Sequence, residues 1–203
     1  MKQFLSIVLL CWSTLLFAQE DVLKSNKWRA YAGISQNPAV LLTPSFNPIH
    51  PGFNLGAIYQ WNNHEKHRLV QYINGGFVYH KHVQKAPRIY TELAYELRLN
   101  RFSIVPLAIG GGYVMSISDL TTLKWNPGTR EYEKTNLSVQ HNWVVSLGPS
   151  LSYETNLNIT NRPVSIFLDY RIQVQGILIA ETSPFIAYAP LQVGIQVPFS
   201  STK

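Results

Sequence analysis

Apolar and polar positions alternate through most of this 203-residue chain. In Val164 to Leu178, Val164, Ile166, Leu168, Tyr170, Ile172 and Val174 share one side of an extended chain. Ser165, Asp169, Arg171, Gln173 and Gln175 share the other, because successive side chains of a strand point to opposite faces. The same period marks eight segments: 27–35, 52–61, 68–81, 88–100, 102–118, 137–154, 163–178 and 185–199. Turn residues separate them and no helical period intervenes.

Alternation alone leaves two architectures. A soluble barrel turns its apolar faces inward around a ligand and its polar faces to water; a transmembrane barrel does the reverse. The polar faces here are rich in Gly, Ser, Gln and Asn, with few charges of either sign, as suits a crowded hydrogen-bonded lumen. Charged residues make up 14% of the chain, against roughly 25% in ordinary soluble domains. Several segments run to about 15 residues, long enough for a tilted span of 9 to 11 residues to project beyond a bilayer. The reading is an all-β, eight-stranded, antiparallel up-and-down transmembrane β-barrel with outward apolar faces, which leaves no unpaired edge in hydrocarbon.

The first 18 residues, MKQFLSIVLLCWSTLLFA, carry a base, an apolar run and a small residue before the first acids, the layout of a secretory signal peptide. Cys11 lies inside the apolar run without the small residues a lipid-attachment site prefers. The expected domains are therefore a signal peptide over 1–18 and a barrel over 19–203. The 185 remaining residues hold no cysteine, so an exported chain must stand without disulfides. Sixteen bases against eleven acids remain, but the bases are scattered, and no nucleic-acid partner is expected.

Connection lengths orient the threading. With both termini in the periplasm, residues 62–67, 100–101 and 155–162 connect strands on that side, and 36–51, 82–87, 119–136 and 179–184 connect them outside. The two longest fall outside, the asymmetry of outer-membrane barrels. Pro106, Pro149, Pro163, Pro190 and Pro198 fall within proposed strands; proline removes a ladder donor, and a bulge is expected at Pro149.

The chain resembles the small outer-membrane β-barrel proteins of Bacteroidota in a signal ending FAQ, in NPIHPGFNLGAIYQW, in YHKH after GGF, in IGGGY and in EYEK. The resemblance implies a barrel and a location, no defined activity, and no catalytic residues to carry over. Outer-membrane lipid, lipopolysaccharide and the insertion machinery are the expected partners of a monomer.

Candidate chemistry is sparse. His80 and His82 share a face but lack a third ligand nearby, and His64 and His67 read as a solvated turn; no metal or cofactor is expected. The triple glycine 110–112 lacks the strand-to-helix context of a phosphate loop. A lipid-modifying enzyme would need a nucleophile system at the rim, and His141 and Ser138 lie on opposite faces. In the third outer loop, Lys124, Trp125, Arg130 and Tyr132 flank an Asn-Pro-Gly turn, the candidate contact surface for an extracellular ligand on an extended hairpin; a headgroup aromatic beside a solvated tip is the plainer reading.

The inward charges are Arg68, Glu92, Glu96, Arg98, Asp169 and Arg171. An eight-stranded barrel is only wide enough for its own side chains, so these charges must pair. Glu92 and Arg171 should meet across the interior with Asp169 below, and Glu96 should lie within reach of Arg98 or Arg68. The expected role is structural or surface-binding with a plugged lumen. A narrow channel or transporter, allowed by small interior residues at Gly110, Gly112, Gly148 and Gly194, and a lipid-modifying enzyme are the alternatives.

Overall fold

A computed structural model describes residues 27–38, 49–80, 84–118, 122–135, 139–159, 162–177 and 185–199. The signal segment 1–18, His82, and most of the first and fourth outward connections lie outside the described residues.

Twelve strands follow in order: β1 (Trp28–Gln36), β2 (Pro51–Gln60), β3 (His67–His80), β4 (Gln84–Leu99), β5 (Phe102–Ser118), β6 (Thr122–Asn126), β7 (Glu131–Thr135), β8 (Val139–Ile159), β9 (Arg162–Tyr170), β10 (Ile172–Ile177), β11 (Ile186–Tyr188) and β12 (Leu191–Pro198). β9 with β10, and β11 with β12, form one stave each. The ring runs β1, β2, β3, β4, β5, β8, β9, β12 and closes where β12 pairs with β1, Gly194 opposite Gly33. Every pairing is antiparallel. The protein is an eight-stranded up-and-down barrel, as its alternation requires.

β4 illustrates the wall. Ile89, Leu93 and Tyr95 point outward and are exposed, whereas Arg88, Tyr90, Glu92, Ala94 and Glu96 point inward and are buried. Along β9 and β10, Ile166 and Leu168 are exposed, and Phe167, Asp169, Arg171, Gln173 and Gln175 are buried. The aromatic Phe167 interrupts the polar row. It packs edge-on against Tyr31 at 5.7 Å, in an interior layer with Ile58, Val70, Tyr72, Ala94, Val105 and Ala108.

Proline shapes the exceptions. Val105 pairs with Ser150 and Ala108 with Gly148, so Pro106 and Leu107 together oppose Pro149. The bulged strand is β5 rather than β8: the extra residue sits where Pro106 cannot donate to the ladder. Pro190 splits the last stave. There Ala189 N–H donates to Pro38 O, and Pro190 O accepts from Arg171 N–H. Ala189 is fully buried, although alternation through 185–199 sets it on the apolar row with Phe185, Ala187 and Leu191 that is expected to face outward. The second outward connection is also shorter than 82–87, because β4 already pairs at Gln84, opposite His80. Pro87 falls in an interval without paired residues between β4 and β5.

Two groups of aromatic side chains ring the wall. At the end where β1 begins, Trp28 packs on Tyr59 at 4.8 Å, Tyr59 on Trp61 at 5.1 Å and Phe102 on Tyr153 at 4.9 Å. Toward the other end, Phe53 lies 6.0 Å from Phe77 and Trp143 5.7 Å from Phe185.

Candidate functional site

The functional candidates lie inside the ring, in two charged clusters separated by the apolar layer. Strand pairing sets their heights: Tyr72 opposes Glu92, Val70 opposes Ala94 and Arg68 opposes Glu96, so the inward row of β4 passes from charge to alanine to charge.

In the first cluster, Arg171 Nε donates to Glu92 Oε1 at 3.2 Å across the interior, and its Nη2 lies 3.9 Å from Asp169 Oδ2. Arg171 faces inward by the alternation it shares with Asp169 and Gln173, and its Nη1 donates to Pro149 O at 2.5 Å. Ser146 Oγ donates to Glu92 Oε1 at 2.6 Å and Ser150 Oγ to Asp169. All three charged residues are buried, so their oxygens need donors within the protein. Gly110 and Gly112 make room: a Cβ at Gly110 would lie 2.7 Å from the Glu92 side chain, and one at Gly112 2.5 Å from that of Tyr90. The glycines therefore admit their large neighbours.

The second cluster centres on Glu96, 1% exposed. Arg29 holds it with a bidentate pair, the Nη1 bond at 3.2 Å, and Arg68 Nη1 approaches to 3.8 Å. Arg98 does not reach it; it pairs with Glu154 at 2.5 Å, both side chains 36% exposed. That rim pair is worth about 0 to 1 kcal/mol.

Two arginines escaped the sequence reading. Arg29 sits in the first strand, whose faces the short WRAYAGISQ segment leaves ambiguous. Arg88 is the first residue of the segment 88–100 expected from the sequence, beside an expected loop, whereas the inward row of β4 starts earlier with Gln84 and Ala86. Arg88 donates to Gln173 Oε1 at 2.6 Å and, through Nη2, to Asn54 Oδ1 at 3.1 Å. Asn54 Nδ2 in turn donates to Gln192 Oε1 at 2.6 Å. The interior void beside this network, bounded by Val78, Gln84, Arg88, Val144 and Tyr188, measures about 20 Å³, room for one water.

At the far mouth His80 stacks on His50, ring centroids 3.4 Å apart. Burial holds the His50 imidazole below its ordinary value. No group of three potential metal ligands occurs among the described residues. On the outer face Tyr113 OH and His141 Nδ1 share a hydrogen bond; Ser138 lies outside the described residues. In the third outer connection β6 and β7 form a separate hairpin with Trp125 opposite Tyr132 and Lys124 opposite Glu133. Arg130 stands exposed at its turn with φ 51°.

No protein-family model matches the chain, and no match is found among curated proteins. Among solved structures it is similar to Neisserial surface protein A, at 15% identity over 86% of this chain and 98% of that one, with a TM-score of 0.48. It is similar to Ail, the attachment invasion locus protein of Yersinia pestis in complex with the heparin analogue sucrose octasulfate, at 12% identity over 85% and 98%, with a TM-score of 0.42. A de novo designed transmembrane β-barrel is similar at 9% identity over 85% and 94%, with a TM-score of 0.41. At such values the barrel rests on its own strand pairing.

Proposed function

We propose that the protein is a monomeric outer-membrane β-barrel with a structural or surface-binding role, its lumen closed by its own side chains. The carrying observation is the inversion of the wall: an exposed apolar belt between two aromatic groups, around an interior of paired charges and amides. From Trp143 to Tyr153 is ten residues along β8. At ~3.3 Å per residue and a tilt near 40°, this gives about 25 Å, the height of the apolar band that outer-membrane barrels present to lipid. Closure of the ring removes the edge a bilayer would not tolerate. The plug is supported by the two clusters, the apolar layer between them and the single-water void.

The finer assignment to the Bacteroidota barrels rests on the short motifs of the sequence, and export rests on the segment 1–18. The termini are taken to face the periplasm and the β6–β7 hairpin the exterior, where Lys124, Trp125, Arg130 and Tyr132 offer a contact surface to an extracellular ligand. No catalytic role is assigned.

The test is purification, insertion into planar bilayers and recording of current. A plugged barrel conducts few ions, and a steady unitary conductance puts the channel reading first. Tags report topology in the same cells. One beside Gly128 should be reachable from outside intact cells, and one between Asn156 and Asn161 only after the membrane is opened; the reverse inverts the assignment. The mass of lipid A with and without expression tests the enzymatic alternative.

A further inference from the structure

The end of the barrel at which β1 begins and β12 finishes opens into a polar cavity of about 430 Å³. Five cationic side chains line it: Lys27, Arg29, Arg68, Arg98 and Arg101. Two carboxylates answer them, Glu154 on the wall and Glu96, bound to Arg29, which leaves an excess of three positive charges in a concave site. Such a concavity focuses the field and raises the local concentration of anions.

The bases are not equally engaged. Arg29 is committed to Glu96 and Arg98 to Glu154. Arg68 stands 3.8 Å from Glu96, beyond hydrogen-bond range, and its buried Nε has no hydrogen-bond partner. An unsatisfied buried donor on a charged group is costly, and a guanidinium presents a fork that fits phosphoryl oxygens. Arg101, exposed at the β4–β5 turn, lines the same cavity. The remaining lining includes the Ser152 and Ser165 hydroxyls and the Asn63 amide, neutral donors for further oxygens.

We propose that this vestibule binds a small soluble molecule bearing a phosphoryl or diphosphoryl group with two or three negative charges, seated between Arg68 and Arg101. One carboxylate would leave the excess charge unanswered. The volume lies within the range of small-molecule sites, so a body beyond the phosphoryl group fits. The cavity opens along the barrel axis inside the ring of strands, so its ligand arrives from water and not from lipid. The proposal holds whichever compartment that end faces and does not depend on whether the lumen conducts.

The probe is inorganic pyrophosphate, titrated calorimetrically into the folded full-length protein in zwitterionic detergent at fixed ionic strength, so that no lipid phosphate competes. Saturable 1:1 binding is expected. Arg68→Gln should weaken it at least tenfold and Arg101→Gln several-fold, while Arg130→Gln at the distant hairpin should leave it unchanged. Arg101→Gln, in a turn, keeps the test decisive if Arg68→Gln fails to fold. Three results overturn the proposal: no saturable binding to the parent protein, loss of less than twofold in both vestibule variants, or equal loss in Arg130→Gln.

Discussion

Glu92 and Glu96 lie four residues apart on one strand, point into the same interior and are equally removed from water, yet they inhabit opposite electrostatic settings. Glu92 shares a single arginine, Arg171, with a second acid, Asp169. Glu96 stands alone between two arginines, Arg29 and Arg68. One cluster has acid in excess and the other base. Both acids are buried alike, so the difference turns on charge stoichiometry and on Arg29 and Arg68 bordering the vestibule: removing the minority charge strands the majority, whereas removing a majority charge relieves it.

The largest effect should therefore follow Glu96→Gln. It leaves Arg29 and Arg68 facing each other with no buried counter-charge, and breaking a buried pair from one side costs about 3 to 5 kcal/mol. Urea titration of folding into phospholipid vesicles measures it. A cost under about 1 kcal/mol would mean that water already reaches the cluster from the cationic vestibule.

Leu168→Arg asks whether the comparison belongs to the interior alone. Leu168 neighbours Asp169 in sequence, but its side chain is 47% exposed on the outer wall. A base there cannot reach the acid-rich cluster and must sit against lipid, at about 2 to 4 kcal/mol near the midplane. A polar change at inward Gln173 should be milder in the same titration. Equal tolerance at both positions would abolish the inside-out assignment on which both clusters depend.

How far these clusters were legible follows from what sets them. The eight staves, the outward rows and the crossing of Glu92 to Arg171 follow from period two and from counting along antiparallel strands, because register fixes face and height together. Of the two partners expected for Glu96, Arg68 approaches it and Arg98 does not. Arg98 has the right parity and strand but lies at the rim, where Glu154 on β8 is nearer. Arg29 was invisible because its strand is short, and because closure of the ring by β12 on β1 brings a sequence-distant stave beside it. The interior apolar layer was missed because Phe167 breaks the polar row singly. It fits only because Gly33 and Gly194 sit beneath it, where a Cβ would come within 3.0 and 2.7 Å of its ring. Single-residue alternation carries no record of such cross-strand exchange of volume. Pro149 marked the right height for a bulge, but its neighbour β5, with Pro106, takes up the extra residue.

Glu92→Gln should cost less than Glu96→Gln, about 2 to 3 kcal/mol, the scale of a hydrogen bond to a charged group. Arg171 keeps Asp169 and the Pro149 carbonyl, so it is not stranded. Replacing both partners, as in Glu92→Gln with Arg171→Met, should cost less than the sum of the single changes, because neither charge is then left buried alone. Additive costs in that double-mutant cycle would show that the two groups do not interact across the interior.

The smallest effect should come from Asp169→Asn. The change removes the surplus acid and leaves Arg171 matched one to one with Glu92. An amide at this position retains an oxygen to accept from Ser150 and adds an N–H that needs a partner, so gain and loss nearly cancel, within about 1 kcal/mol. Folding titrations of the single variant and of its combination with Glu92→Gln separate the two acids. If charge stoichiometry governs, Asp169→Asn is nearly neutral alone but raises the cost of Glu92→Gln to that of Glu96→Gln, because Arg171 then has no acid within reach. If Asp169→Asn alone proves as damaging as Glu96→Gln, the two clusters obey the same rule of simple burial, and the distinction between acid-rich and base-rich ends of the barrel falls.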